Sequence, residues 1–399
     1  MQDTAPHSPH AAPQSGQLAG WVRLMQTAGV GPATCRLLLA QFDAPAAVFD
    51  AAPARLLALV GPALAQALLL PSDTVLRQVD AALAWADQPG NCILTIADPA
   101  YPALLRHIDD APPVLYVSGR AALLAGPCLA MVGSRNASVQ GVSNAQAFAE
   151  AFSTAGLTIV SGLALGIDSA AHVGALAAGA GSTVAVVGTG PDLVYPAKNR
   201  ALWRRIVEAG CVVSEYAPGT PPLAHHFPQR NRIISGLSAG VLVVEAAARS
   251  GSLITARLAA SQGREVFAIP GSIHAALAKG CHLLIKDGAR LVESAADVLQ
   301  DVFASPIARL AMQDAAAEFA SAMAPEMAAV HAALLAALGH GPLALDALAG
   351  ACGCAPHELQ AGLLELELAG AAERLADGRY QRVVRLSRRD ESSGGPVLR

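Results

Sequence analysis

Five short runs rich in glycine and serine hold most of the residues in this chain that could do chemistry. They are Gly133-Ser134-Arg135, the stretch from Ser161-Gly162 through Gly166 to Asp168, Gly188-Thr189-Gly190-Pro191-Asp192, Arg249-Ser250-Gly251-Ser252 and Pro270-Gly271-Ser272. Each follows a short apolar, largely β-branched run. Small residues at such places let an anion approach backbone N–H groups at helix starts, where the helix dipole also favours negative charge. One such loop is an ordinary way to leave a strand and enter a helix; five together describe a phosphate-accepting rim. None reads G-x-G-x-x-G after a strand and no G-x-x-x-x-G-K-[ST] occurs, which disfavours ordinary dinucleotide binding and P-loop hydrolysis.

A second constellation runs from Pro221 to Ile234 and contains His225, His226, Phe227, Arg230 and Arg232. An aromatic ring beside two guanidinium groups suits single-stranded nucleic acid, because the ring stacks on a base while the cations neutralise phosphates. The same residues also suit a structural role, with Phe227 in the core and either arginine paired to Asp168, Glu215 or Glu245. The sequence shows no nucleophile with an adjacent base and no paired carboxylates at local spacing, so no catalytic residue is expected. Cys352 and Cys354 form a lone C-x-C near His357 without a second ligand pair, so neither a metal nor a cofactor is expected.

The elements that must position these loops follow from the apolar pattern. Leu129 to Val132, Thr158 to Ser161, Thr183 to Val187, Val212 to Glu215, Val241 to Glu245 and Val266 to Ile269 alternate with helical stretches. Continuous apolar strands separated by helices predict a parallel, doubly wound α/β sheet of about six strands covered on both faces. The ligand site of such a sheet lies at the carboxyl ends of its strands.

At 399 residues the chain exceeds what one hydrophobic core ordinarily organises, so two or three domains are expected. We read residues 1–17 as a disordered tail and 18–75 as a helical domain. Residues 76–300 form the Rossmann-like domain with an extended lead-in, 301–325 a linker, 326–386 a winged helix, and 387–399 a second tail. The turns Gly29-Val30-Gly31-Pro32 and Val60-Gly61-Pro62 in the helical domain resemble a helix-hairpin-helix (SAM-like) pair. They are equally compatible with Gly-Pro stops in a plain helical domain. Three helical stretches and then a hairpin around Asp377-Gly378 describe the winged helix. The helix that would enter a groove, roughly Pro356 to Ala369, carries Glu358, Glu365 and Glu367 and no Arg or Lys, a poor surface for a phosphate-lined groove.

No run approaches the roughly 18 to 20 uninterrupted apolar residues of a membrane span. The first residues lack the features of a signal peptide, and seven scattered cysteines suit a reducing cytoplasm. A net charge of −4 argues against a uniformly basic coat, so any nucleic-acid site is a local patch. The only lysines, Lys198, Lys279 and Lys286, lie in the middle of the chain.

From Met131 to about Glu293, about 40% of the chain, the sequence closely resembles the DNA-processing protein A (DprA/Smf) family. The motifs that carry the resemblance are Gly133-Ser134-Arg135, SGLALGIDSAAH from Ser161, GTGPDLVYPAKN from Gly188, SEY from Ser214, FPQRNRIISGLS from Phe227 and SGSLITA from Ser250. The resemblance implies binding of single-stranded DNA, loading of the RecA recombinase onto incoming DNA in natural transformation, and a homodimer through the Rossmann-like domain. By position it implies a backbone-binding pocket shaped by Ser134, Arg135 and Gly162, charge from Lys198 at its margin, and stacking and phosphate contacts from Phe227, Arg230 and Arg232. Gly133, Ser161, Gly166, Gly251 and Ser252 complete the candidate site. The chain departs from the pattern at Ala224, where some members have Lys. The alternative from another class is a phosphoribohydrolase-like nucleotide hydrolase, with Asp168, Glu215 or Glu245 as its acid or base.

Overall fold

The computed structural model describes residues 15–178, 183–305, 334–338 and 343–352, with shorter stretches between 359 and 382. The expected tail 387–399, most of the tail 1–17 and most of the linker 301–325 lie outside the described residues. Contacts divide the chain into two compact units, Met1–Ala316 and Ala317–Arg399.

The first unit opens with six helices: α1 (Ser15–Gln26), α2 (Pro32–Phe42), α3 (Pro45–Phe49), α4 (Pro53–Val60), α5 (Pro62–Leu69) and α6 (Asp73–Ala86). Four of them begin on proline, whose fixed φ and missing N–H suit the first helical position. At α6 the Ser72 hydroxyl accepts from the Val75 N–H and caps the helix. The apolar faces of these helices close on a core that includes Trp21, Leu38, Leu56, Leu68 and Trp85. Ile93, Val114 and Tyr116 from the following strands belong to that same core.

The rest of this unit is a nine-stranded sheet, in the order β1-β2-β6-β5-β4-β3-β7-β8-β9. Its strands are β1 (Asn91–Thr95), β2 (Val114–Gly119), β3 (Cys128–Val132), β4 (Thr158–Ser161), β5 (Thr183–Val186), β6 (Cys211–Ser214), β7 (Gly240–Val243), β8 (Glu265–Ala268) and β9 (Arg290–Leu291). Strands β3 to β8 coincide with the six apolar runs expected from the sequence, to within a residue or two, and they pair with one another in parallel. The lead-in is itself part of the sheet. The short apolar runs the prolines separate there, Ile93 to Ile96 and Val114 to Val117, fall largely in β1 and β2, an antiparallel pair that extends the sheet beyond β6.

The strands are buried on both faces, which is why they read as unbroken apolar runs. Ala130, Val132, Val160, Val184, Val186, Val241 and Val243 point into one core. Their alternating neighbours Leu129, Met131, Ile159, Leu242 and Val244 point into the opposite one, and Ala185 and Val187 into a third cluster. Helices α7 (Ala103–Arg106), α8 (Val139–Thr154), α9 (Ile167–Ala177), α10 (Arg200–Ala209), α11 (His226–Gly236), α12 (Ser252–Ser261), α13 (Lys279–Lys286) and α14 (Ala295–Ala304) complete the unit. The chain winds outward from β3 through β4, β5 and β6, then returns to β7 on the other side of β3. The strand order therefore reverses between β3 and β7, where doubly wound sheets place their ligands.

In the second unit, Leu334, Leu338, Leu348, Leu359, Leu363 and Leu366 share a small core with Ala372. The helix Leu345–Cys352 is followed, past residues outside the described set, by an antiparallel pair, β10 (Ala372–Arg374) with β11 (Tyr380–Arg382). Leu343 bridges to Tyr380 beside that pair.

Candidate nucleic-acid interface

The loops after β3 and β7 are tied together at the switch point. The Ser134 N–H donates to the Glu245 carbonyl at 2.7 Å, and the Ser134 carbonyl accepts from the Ile167 N–H at 3.1 Å. The Glu245 carboxylate accepts from the Ser138 hydroxyl at 2.5 Å and the Ser138 N–H at 2.9 Å. It thus fastens the cap of α8 and is not the partner of an arginine. Gly166 enters α9 at φ +78°, and a Cβ there would lie 2.2 Å from the Ser134 carbonyl oxygen. Both facts demand glycine.

Around these loops lies a cleft of about 790 Å³. Gly133, Ser134 and Arg135 line it from β3, Asp168 from α9, and Arg249, Ser250, Gly251 and Ser252 from the loop after β7. Helix α11 contributes Phe227, Arg230, Asn231 and Ile234, spaced i, i+3, i+4 and i+7 on one helical face.

Arg230 is 4% exposed and forms part of the cleft wall. Its guanidinium donates to the Gly162 carbonyl at 2.7 Å and to the Val186 carbonyl. Burial pushes its pKa down to about 10, against the pull of Asp168, so it stays a cation at neutral pH. A Cβ at Gly162 would sit 2.6 Å from this guanidinium, so the glycine makes room for the buried charge. Asp168 is buried in turn. Burial raises its carboxyl above the ordinary range, opposed chiefly by Arg230, and it accepts from the Gly162 N–H at 3.1 Å. Arg135 and Arg249, by contrast, are exposed and make no hydrogen bond or ion pair among the described residues. Both are available to an anion.

The aromatic component is a pair. Phe227, half-buried in the first turn of α11, lies against the exposed ring of Tyr195, with centroids 5.2 Å apart. Tyr195 and Arg249 stand in the motifs singled out in the sequence but were not expected as site residues. A tyrosine next to Pro196 and a cation leading the Ser250-Gly251-Ser252 loop were the available signals.

Five of the twelve expected residues fall outside the cleft lining. Ser161 is fully buried and its hydroxyl donates to the Met131 carbonyl at 2.6 Å. Gly162 and Gly166 shape the wall from behind. Lys198 is exposed on the short turn Ala197–Asn199. Arg232 corrects the expectation most clearly: it is 7% exposed and its guanidinium is committed to Glu215, with Nε also 3.0 Å from Asp110. It therefore cannot offer a phosphate contact without breaking that pair. Asn199, the chain neighbour of Lys198, serves the loop instead, donating to the Leu163 carbonyl at 2.8 Å where Leu163 takes φ 56°.

Fold and cleft together define a Rossmann-like α/β protein with a glycine- and arginine-lined cleft at the switch point of its sheet. The chain belongs to the DNA recombination-mediator protein A family, which it matches over residues 92–303, and residues 318–378 match the DprA winged helix domain. It is 51% identical to the DNA processing protein DprA of Streptococcus pneumoniae over 52% of this chain and 73% of that protein. To the protein Smf of Escherichia coli it is 41% identical over 74% of this chain and 78% of that one. The X-ray structure of the S. pneumoniae protein superimposes with a TM-score of 0.59, at 40% identity, over 71% of this chain and 97% of that chain. This is a family of DNA recombination mediators, not of enzymes, and the hydrolase alternative is set aside.

Proposed function

We propose that this protein binds single-stranded DNA along the switch-point cleft and hands the strand to the RecA recombinase during natural transformation, acting in the cytoplasm as a homodimer built on its Rossmann-like domain. The observation that carries the reading is that two unpaired arginines, Arg135 and Arg249, share one cleft with the buried cation Arg230 and the Tyr195–Phe227 ring pair. Phosphates take the arginines and glycine-lined loops; a base takes the rings. A splayed single strand can present both, whereas the bases of a duplex are stacked inside it. The twelve expected residues act within this site as contacts or as its supports, with Arg232 among the supports. The helical segment 18–75 and the winged helix 326–386 flank this domain, and the lack of Arg and Lys in Pro356 to Ala369, which instead carries Glu358, Glu365 and Glu367, suits the latter to protein contacts. Lengthwise the role fits the family's description as recombination mediators.

Titrating single-stranded and duplex oligonucleotides of one length at several salt concentrations tests the reading. Single strands bind more tightly, and log K falls linearly with log salt. Equal affinity for the two forms would overturn it. In a second arm, the protein accelerates RecA assembly on single strands, and no acceleration removes the loading step.

A further inference from the structure

Beside the main cleft lies a second pocket of about 380 Å³, and Tyr195 and Pro222 line both. Its other wall is one face of α10, where Arg200 and Arg204 stand one turn apart with Trp203 between them. Nothing about the stability of α10 explains these cations. Arg200 is the first residue of the helix, where the dipole disfavours positive charge, and like charges four residues apart repel. Both are exposed, and neither makes a hydrogen bond or ion pair among the described residues. The one carboxylate in the pocket, Asp192, accepts from the Gly219 N–H at 2.9 Å and so has a structural duty of its own. Two exposed cations and a half-buried indole, packed on the core behind it, remain at this wall, contiguous through Tyr195 with the cleft already described.

We propose that the second pocket continues the single-strand track: it holds one further nucleotide, its phosphate against Arg200 and Arg204 and its base against the Trp203 ring. The inference rests on the single-strand reading of the main cleft and extends it in one direction, past Tyr195 towards α10. The bound strand is therefore longer than the main cleft alone would hold, and its affinity rises with length until both pockets are filled.

Oligothymidylates of about 4 to 16 nucleotides, the range of site sizes found for single-strand grooves, test this. Wild type and the double variant Arg200→Ala/Arg204→Ala are titrated at several salt concentrations, with thermal melts to confirm that both are folded. The double variant is expected to bind the shortest oligomer as the wild type does, to lose the gain in affinity on lengthening, and to show a salt slope shallower by about 0.7, the share of one phosphate, on the long oligomers alone. Trp203→Phe supplies a spectroscopic check. Trp21 and Trp85 are buried in the helical core, so the quenching of tryptophan fluorescence by long oligomers is expected to vanish in Trp203→Phe. A double variant that follows the wild type at every length, one that weakens equally at every length, or quenching that survives in Trp203→Phe overturns the second pocket while leaving the main cleft intact. A wild type that binds no oligomer overturns both.

Discussion

Arg232 holds Glu215 through two parallel hydrogen bonds, Nη1 to Oε1 at 2.7 Å and Nη2 to Oε2 at 2.6 Å, two residues along α11 from the guanidinium that lines the cleft. The two arginines of this helix thus have opposite duties. Arg230 brings a charge to the ligand site, and Arg232 fastens α11 to the end of β6.

Arg232→Ala is accordingly expected to act on folding. Removing one partner of a buried, bidentate pair leaves Glu215 uncompensated and costs about 3–5 kcal/mol. Urea denaturation measures the loss. At temperatures where the variant stays folded, its affinity for single-stranded DNA remains near that of the wild type, and a specific loss of binding without destabilisation would return Arg232 to the ligand site.

Arg135→Ala and Arg249→Ala are expected to behave in the reverse way. Both side chains are exposed and without a partner among the described residues, so stability changes by no more than about 0.5 kcal/mol. Single-strand affinity falls, and each substitution lowers the salt slope by about 0.7, the share of one phosphate contact. Salt-dependent titrations and melts of the two variants check both statements together.

For Phe227 the half-buried ring implies an intermediate outcome. Phe227→Ala weakens single-strand binding by about 1–3 kcal/mol through lost stacking, with a smaller loss of stability than the roughly 3–5 kcal/mol of a fully buried Phe. Phe227→Trp retains most of the affinity. Normal DNA affinity in a strongly destabilised alanine variant would assign the ring to the core.

His172 carries a pH dependence. The Thr183 hydroxyl donates to the Ile159 carbonyl at 2.7 Å, so it accepts from His172 Nδ1–H, also at 2.7 Å. Nε2 is left buried without a partner. Burial, helped by Arg230, pushes the imidazole pKa down to about 3. Between pH 6.5 and about 3 the unfolded chain then binds a proton that the folded one refuses, and stability falls as the pH falls. The slope is about 1.4 kcal/mol per pH unit from this group. Asp168, whose folded pKa is raised, acts with the opposite sign. Denaturation of wild type and His172→Gln across this window isolates the histidine: the difference between them shrinks as the pH falls, and parallel curves would show that the ring titrates normally.

The sheet was legible where burial on both faces leaves a long apolar signature, as in Leu129 to Val132 or Val241 to Val243. β9 left no such trace, since Arg290 and Leu291 are both exposed. The runs that become β1 and β2 were visible, but their antiparallel pairing was not, because no local pattern names a strand's partner. In the cleft, the glycine-rich loops were readable because they fall where strands turn into helices, whereas for Phe227 the sequence left stacking and core packing both open. The division of labour between Arg230 and Arg232 depends on a carboxylate from β6 seventeen residues away in sequence. Helical geometry held part of the answer. Residues i and i+2 never share a face, so with Phe227 and Arg230 on the cleft side Arg232 had to point elsewhere.

Trp85 at the end of α6 packs edge-on against Tyr116 of β2, with centroids 5.9 Å apart, and Ile93 and Val114 close the same core. The six leading helices and the sheet therefore share one core, and a single cooperative melt of the two together is expected. A chain trimmed to begin at Cys92, where the family match starts, would strip the cover from Val114 and Tyr116. The bared stripe would lie along the antiparallel ribbon at one margin of the sheet, the kind of sticky strand surface that recruits other copies into aggregates. The leading helices thus act as a shield for that margin, whatever else they bind.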